Sequence, residues 1–418
     1  MRYNIFINIF MSHAKSSLSM PVSAMEPMLP GHDLDALLAL SVQVFQESGR
    51  LTGLVHAPLV REKIGDLVRS MNCYYSNLIE GHKTLPRDIE QAMHQRFSSN
   101  KAKKDNQLLS LAHIEVERRM DDWLKEEGVD VYHPDFICRL HREFYQRLPA
   151  SMQEAQTKSG KVYAIAPGQF RDFMVDVGRH TPPPPSSLGP FMARFHQFYG
   201  DPVLPASQRL IAIAAAHHRL AWIHPFGDGN GRVVRLHSQA LLKVCGVDGG
   251  GLWTLSRGLA RQRPRYYSTL AGADQPRQGD LDGRGALSEK GLVSFCRFFL
   301  ETMLDQIRFM SGLLELPTLR TRIERYFQFE DLAFDRYREE IMRVVRVLAD
   351  EGEIPRHRVR DITGKGATVS AEIIKRTLAE GYIETPSDKG VLRIAFPTKV
   401  LPGYFPQLFL DLPVEGER

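Results

Sequence analysis

Between Ile223 and Arg235 the chain reads IHPFGDGNGRVVR. A hydrophobic core has little use for this mixture, because glycines form helix poorly and buried arginines are costly. Asp228–Gly231 read as a tight loop, with Arg232 starting the next helix. Backbone N–H groups at such a helix start, aided by the helix dipole, form an anion site. Arg232 and Arg235 are three apart and share a helix face. Two guanidinium forks beside an N–H nest suit a polyphosphate better than a lone carboxylate. Asp228 adds one carboxylate, the usual protein share of a Mg²⁺ site completed by substrate phosphates. His224, stiffened by Pro225, has the pKa range of a general base. One loop thus offers a base, a metal ligand and a phosphate cradle, which together suit transfer of part of a nucleotide to an acceptor.

HPFGDGNGR followed by Arg235 resembles the HPFx(D/E)GNGRxxR signature of the Fic family, and the resemblance extends over roughly residues 35–310. It implies transfer of AMP from ATP to a Ser, Thr or Tyr hydroxyl of a target protein. His224 would then deprotonate the acceptor and Asp228 would hold Mg²⁺. Gly229, Asn230 and Gly231 would hold phosphates, with Arg232 on the β-phosphate and Arg235 on the γ-phosphate. The family's phosphotransferase branch has a lysine where this chain has Gly231, which argues against kinase-type transfer. GQFRDFMVDVGRH matches the family's flap in position, so Val175 and Val177 would line a hairpin that pins the target as an added strand. RYYSTL resembles the adenine-side segment, with Tyr267 the contact. Asp274 stands where relatives often have asparagine, which leaves base preference open.

A second motif lies upstream, in YYSNLIEGH at 74–82. Ser76 and Glu80 share a helical face, and Gly81 makes a natural C-terminal stop. A glutamate there opposes the helix dipole and gains most if a buried cation receives it. The fragment resembles the family's (S/T)xxxE(G/N) inhibitory motif, in which the glutamate pairs with the signature's second arginine, here Arg235. The resemblance implies a self-inhibited enzyme braked from its own N-terminal side. Some relatives use the same glutamate to orient water and remove AMP. A nucleotide-responsive DNA-binding regulator is the reading from a different class.

These parts need a scaffold, and the pattern around them is mostly α. Residues 1–31 lack sustained periodicity and read as a disordered tail, with the short apolar run MRYNIFINIFM too interrupted for a signal peptide. Residues 32–104 form a helical region carrying the inhibitory helix. Residues 105–315 form the core, a Fic-type helical bundle with a small β-hairpin flap. There, PASQRLIAIAAAHHRLAWI is apolar nearly all round and should be a buried central helix. His217 and His218, on that helix, should pack or orient the motif loop. Alternating Val175 and Val177 suggest the hairpin, ended by the prolines at 182–185. Residues 318–418 run helix, helix, turn, helix and two short strands, the order of a winged helix-turn-helix.

That C-terminal region carries Arg356, Arg358, Arg360, Lys365, Lys375 and Arg376, so DNA is a candidate partner, as is a second protein or a homodimer mate. Thr368 and Ser370 on its third helix show no commitment to bases. The whole chain has 418 residues and a net charge of +5, a mild excess that permits nucleotide partners without demanding them. Cys73, Cys138, Cys245 and Cys296 are scattered without a Cys-x-x-Cys pair, as expected of reduced cysteines in a cytoplasmic protein. No stretch is long and apolar enough to span a membrane.

Overall fold

The computed structural model describes residues 19–156, 160–200, 204–330, 334 and 336–409. Residues 1–18 of the expected tail lie outside them. The helices of the first three quarters are α1 (Leu34–Thr52), α2 (Pro58–Ile79), α3 (Pro86–Met93), α4 (Lys101–Trp123), α5 (Pro134–Tyr145), α6 (Leu188–Tyr199), α7 (Ala206–Ile223), α8 (Asn230–Val244), α9 (Leu255–Arg261), α10 (Arg263–Ala273) and α11 (Glu289–Leu314). Strands β1 (Glu154–Gln156) and β2 (Val162–Ala164) form an antiparallel hairpin between α5 and α6. The chain divides into two compact units, one of Met1–Gln46, Asn72–Asp248 and Thr254–Gln306, the other of Glu47–Met71, Gly249–Trp253 and Ile307–Arg418.

In the first unit α7 is the buried axis. Every residue from Leu210 to Leu220 is buried, as its all-round apolar pattern requires. It ends at His224, which adopts left-handed φ 49° and ψ 60°, and Pro225 stops further helix. The next helix, α8, begins at Asn230, two residues before the expected Arg232, so Gly231 and Arg232 lie in its first turn. Gly229 precedes it at φ +75°, and a Cβ there would come within 2.7 Å of the Tyr145 ring. The left-handed turn and the close approach both demand glycine. Helix α2 ends in a Schellman motif: the Gly81 amide bonds to the Leu78 carbonyl, and the His82 amide to the Asn77 carbonyl. Gly81 is left-handed at φ +87°, and Glu80 stands at the helix's last turn.

Two expectations are corrected here. Residues 19–31 are no loose tail. Met25 and Met28 are buried, Arg219 donates twice to the Pro27 carbonyl, the Tyr199 hydroxyl donates to the Met28 carbonyl, and Glu26 pairs with Arg194. Backbone carbonyls and one charge pair tie the segment down, and neither leaves a hydrophobic period to read. The hairpin is also misplaced. Its strands are 154–156 and 162–164, whereas Val177 makes only an isolated bridge to His180. Val175 is buried, and its alternation with Val177 leads only into that bridge.

The second unit contains α12 (Leu316–Arg325), α13 (Arg338–Glu351), β3 (Glu353–Ile354), α14 (Arg358–Thr363), α15 (Ala367–Ala379), β4 (Ile383–Glu384), β5 (Leu392–Ile394) and α16 (Leu401–Tyr404). The strands form one antiparallel sheet in the order β3-β5-β4. Residues 47–71 group with this unit through Lys63, which pairs with Glu384, and through Leu59 and Val60, which approach Gly352. Among the described residues no helix is long and apolar enough to cross a membrane. All four cysteines are free thiols, and burial pushes Cys296 up to about 12 and Cys138 to about 11.

Candidate active site

The α7–α8 loop and the end of α2 meet in the first unit. His224 sits at the left-handed residue, a conformation that costs a non-glycine residue on the order of 1–2 kcal/mol and needs support. The support comes from Arg171, whose Nε donates to the His224 carbonyl at 2.9 Å while its own amide donates to the Pro225 carbonyl at 2.9 Å. Burial, with the charges of Arg171 and His180, pushes the His224 imidazole down to about 3. It is therefore neutral at physiological pH. A neutral imidazole keeps one ring nitrogen as an acceptor.

Asp228 is fixed from the other side. The Tyr145 hydroxyl donates to its Oδ2 at 2.6 Å. Burial raises the carboxyl, but Arg232, Tyr145 and the Gly229 amide outweigh it and hold Asp228 below the usual range. His141 accepts the Gly168 amide at Nδ1 (2.8 Å), so Nε2 carries the proton and donates to the Asp228 carbonyl at 3.3 Å. Its ring stacks on Phe226 at 4.0 Å between centroids. No group of three or more His, Cys, Asp or Glu side chains among the described residues could hold a metal ion. Asp228 could give a cation one carboxylate, and Mg²⁺ held in this way usually completes its shell from water and substrate phosphates.

Asn230 does something the sequence did not suggest. Its Oδ1 accepts the Phe226 amide at 2.9 Å, and its Nδ2 donates to the Phe226 carbonyl at 2.8 Å. Both ends of the carboxamide staple the loop shut, so its side chain is a clamp. Gly231 meets a different demand. A Cβ there would collide with Oε1 of Glu80 and lie 3.2 Å from Nη1 of Arg235.

The two signature arginines are buried and face the end of α2. Arg232 donates from Nε to Oδ1 of Asn77 at 3.1 Å, with its guanidinium over the Phe144 ring. Arg235 donates from Nε to the Ser76 hydroxyl (2.9 Å), and from Nη2 to the Ser76 carbonyl (2.9 Å) and to Oε1 of Glu80 (2.8 Å). Burial would raise the Glu80 carboxyl, but Arg235 and Arg232 hold it below its ordinary value. Glu80 in turn holds Arg235 up against burial. Behind Arg235, the Ser238 hydroxyl donates to the Val234 carbonyl, so it accepts from Nδ1 of His217, whose Nε2 accepts the Tyr266 hydroxyl at 2.8 Å. His218 bonds Asp274 at 3.0 Å and the Leu270 carbonyl, beside Arg219. Tyr267 keeps an exposed ring and donates to the Ile79 carbonyl at 3.2 Å, at the end of α2.

The fold thus gathers His224, Asp228, Gly229–Gly231, Arg232, Arg235, Ser76, Glu80 and Tyr267. Arg171, Tyr145, His141 and Asn77 complete the arrangement without having announced themselves. The one available signal was Arg171 itself, a lone cation among the aromatics of GQFRDF with no acid four residues away.

In the C-terminal unit most of the basic residues have partners at home. Arg358 pairs with Glu351, Lys365 with Glu340 and Arg376 with Glu372, while Arg356 donates to the Gly390 carbonyl. Ser370 is buried; Thr368, Arg360 and Lys375 are exposed.

Residues 131–242 match the model of the Fic/DOC family. The chain is similar to a protein adenylyltransferase Fic of Drosophila mojavensis, 31% identical over 154 residues that make up 37% of this chain and 29% of the relative. It is similar to the protein of the same name from Drosophila erecta, 40% identical over 122 residues, 29% of this chain and 23% of that one. The chain spans less than a third of the length of these curated relatives. Among solved structures it resembles Fic-1 (aa134–508) of C. elegans with a TM-score of 0.52 and 16% identity, over 68% of this chain and 74% of that chain, a likeness of fold.

Proposed function

From a chain whose residues 131–242 match the model of the Fic/DOC family, we propose a Mg²⁺-dependent protein adenylyltransferase that is braked by its own Glu80. The observation that carries this reading is His224, pushed toward the neutral form by burial, one loop before the glycine-led start of α8, whose Arg232 and Arg235 both turn to the end of α2. ATP would lie with its phosphates on the first turn of α8. The backbone of Gly229, Asn230 and Gly231 and the guanidinium of Arg232 would take the α- and β-phosphate oxygens, and Tyr267 the base side. Asp228 would hold Mg²⁺, which would supply charge neutralisation along the phosphates.

A Ser, Thr or Tyr hydroxyl of the target then attacks the α-phosphorus while His224 takes its proton. The bond from the α-phosphorus to its bridging oxygen breaks, and pyrophosphate leaves. Exposed Met174, just before the Val177–His180 bridge, supports docking of a target strand by main-chain pairing along this segment. Val175 has no side-chain part in that docking.

Glu80 occupies the guanidinium that the γ-phosphate would need. Nucleotide could then sit only with its α-phosphate out of line, and release of Glu80 would restore transfer. The element order and sheet of the C-terminal unit support a winged helix. Its internally paired basic residues support a protein-contact role more than a duplex-binding one. ATP labelled at the α- or the γ-phosphate separates the chemistries. Label from the α-position alone on protein supports AMP transfer; label from the γ-position replaces it with phosphoryl transfer.

A further inference from the structure

We infer that Arg171 is a positioning residue for the proposed transfer, holding the His224 backbone and the segment at Phe173 in one register. The inference rests on the adenylyltransferase reading for its kinetic consequence, though not for its geometry. Arg171 is a buried arginine, and among the described residues no carboxylate pairs with it. Its three donor positions go to three carbonyls from different parts of the chain: Nε to His224 (2.9 Å), Nη1 to Phe173 (2.9 Å) and Nη2 to Pro183 (2.6 Å). Its own amide adds Pro225 at 2.9 Å.

A buried cation without a counter-charge is an expensive way to satisfy carbonyls, since a neutral donor would do so with less desolvation. What a guanidinium adds is a rigid planar fork that fixes three acceptors at set angles. Two of those acceptors matter to chemistry. One belongs to the left-handed residue that carries the imidazole. The other belongs to Phe173, which lies four residues before the Val177–His180 bridge and whose ring stacks on Tyr163 of β2. The fork therefore sets where the base stands relative to the segment that would receive the target. Lysine has the charge but not the fork.

The test compares full-length Arg171→Met and Arg171→Lys, each combined with Glu80→Gly, with the Glu80→Gly parent. Arg257→Met serves as a control for loss of a buried arginine elsewhere in the same unit. The readouts are kcat and KM for ATP, and the ¹³C–¹H signal of the His224 ring, assigned by its disappearance in His224→Ala. The expected result is a fall in kcat on the order of 100-fold with KM for ATP nearly unchanged, a displaced His224 signal, and little rescue by lysine. The control leaves the His224 signal in place. A folded Arg171→Met protein with parental kcat and an unmoved His224 signal would overturn the inference, as would a raised KM with kcat intact. If the parent itself transfers nothing, the adenylyltransferase reading fails, and the His224 signal alone decides whether Arg171 positions it.

Discussion

Nη2 of Arg235 donates to Oε1 of Glu80 at 2.8 Å, and this contact exists only because residue 231 has no side chain. The carboxylate lies where a Cβ of residue 231 would be. The last turn of α2 and the first turn of α8 are thus fitted to one another atom by atom, across 155 residues of sequence.

Gly231→Ala is therefore expected to lower the melting temperature by several degrees in the wild-type background, because the methyl group displaces Glu80 and strips Arg235 of its carboxylate. In the Glu80→Gly background the same methyl group has room, and the penalty should largely vanish. Thermal unfolding of the two single variants and the double variant checks this. Simple additivity would mean that the two positions are not coupled.

Tyr145→Phe removes the hydroxyl that steadies Asp228 while keeping the ring that Gly229 packs against. A hydrogen bond to a charged group contributes about 1.5–3 kcal/mol. The Mg²⁺ concentration for half-maximal transfer should rise roughly tenfold or more, with a small change in melting temperature. An unchanged Mg²⁺ dependence would separate Tyr145 from the metal site.

The site also predicts acid sensitivity. Burial holds His113 and His224 down to about 3 and His141 and His237 down to about 4, so all are neutral in the folded chain. Unfolded, each takes up a proton below about 6.5. The unfolded state then binds more protons, and stability falls as pH drops from about 6.5 toward 4. Each histidine contributes a loss on the order of 1 kcal/mol by pH 5.5. Glu80 and Asp228, held low when folded, add to the loss at still lower pH. Urea unfolding at pH 7.5 and 5.5 should show a markedly less stable protein at the lower value. Equal midpoints would mean that these imidazoles can charge in place.

What could be read from sequence and what could not divide along a physical line. His224, Asp228, Arg232 and Arg235 are neighbours on one loop and helix turn, so spacing alone brings their functional groups together. Glu80 could be joined to Arg235 only through resemblance, because no local rule links a helix end to a cation so far along the chain. Arg171, Tyr145 and His141 act on backbone carbonyls or on one carboxylate oxygen, and such contacts leave no periodic trace. Asn230 misled for a related reason: its residue type suits a phosphate, yet the nearest unpaired backbone groups belong to Phe226. The segment at 19–31 hid in the same way, held by Arg219 and Tyr199 rather than by an apolar stripe. Val175 and Val177 alternate like a strand, yet the only pairing there among the described residues is the Val177–His180 bridge, and a single bridge looks the same in sequence as a full strand.

The central claim is that one loop transfers AMP and one glutamate restrains it. The direct measurement is self-labelling of the wild type, Glu80→Gly and His224→Ala with Mg²⁺ and ATP carrying label on the α-phosphate. The account predicts weak label on the wild type, label on Glu80→Gly stronger by roughly tenfold to 100-fold, as expected for loss of a charged hydrogen bond, and none on His224→Ala. Equal labelling of wild type and Glu80→Gly, both folded, would contradict the restraint, and persistent label on His224→Ala would contradict the base.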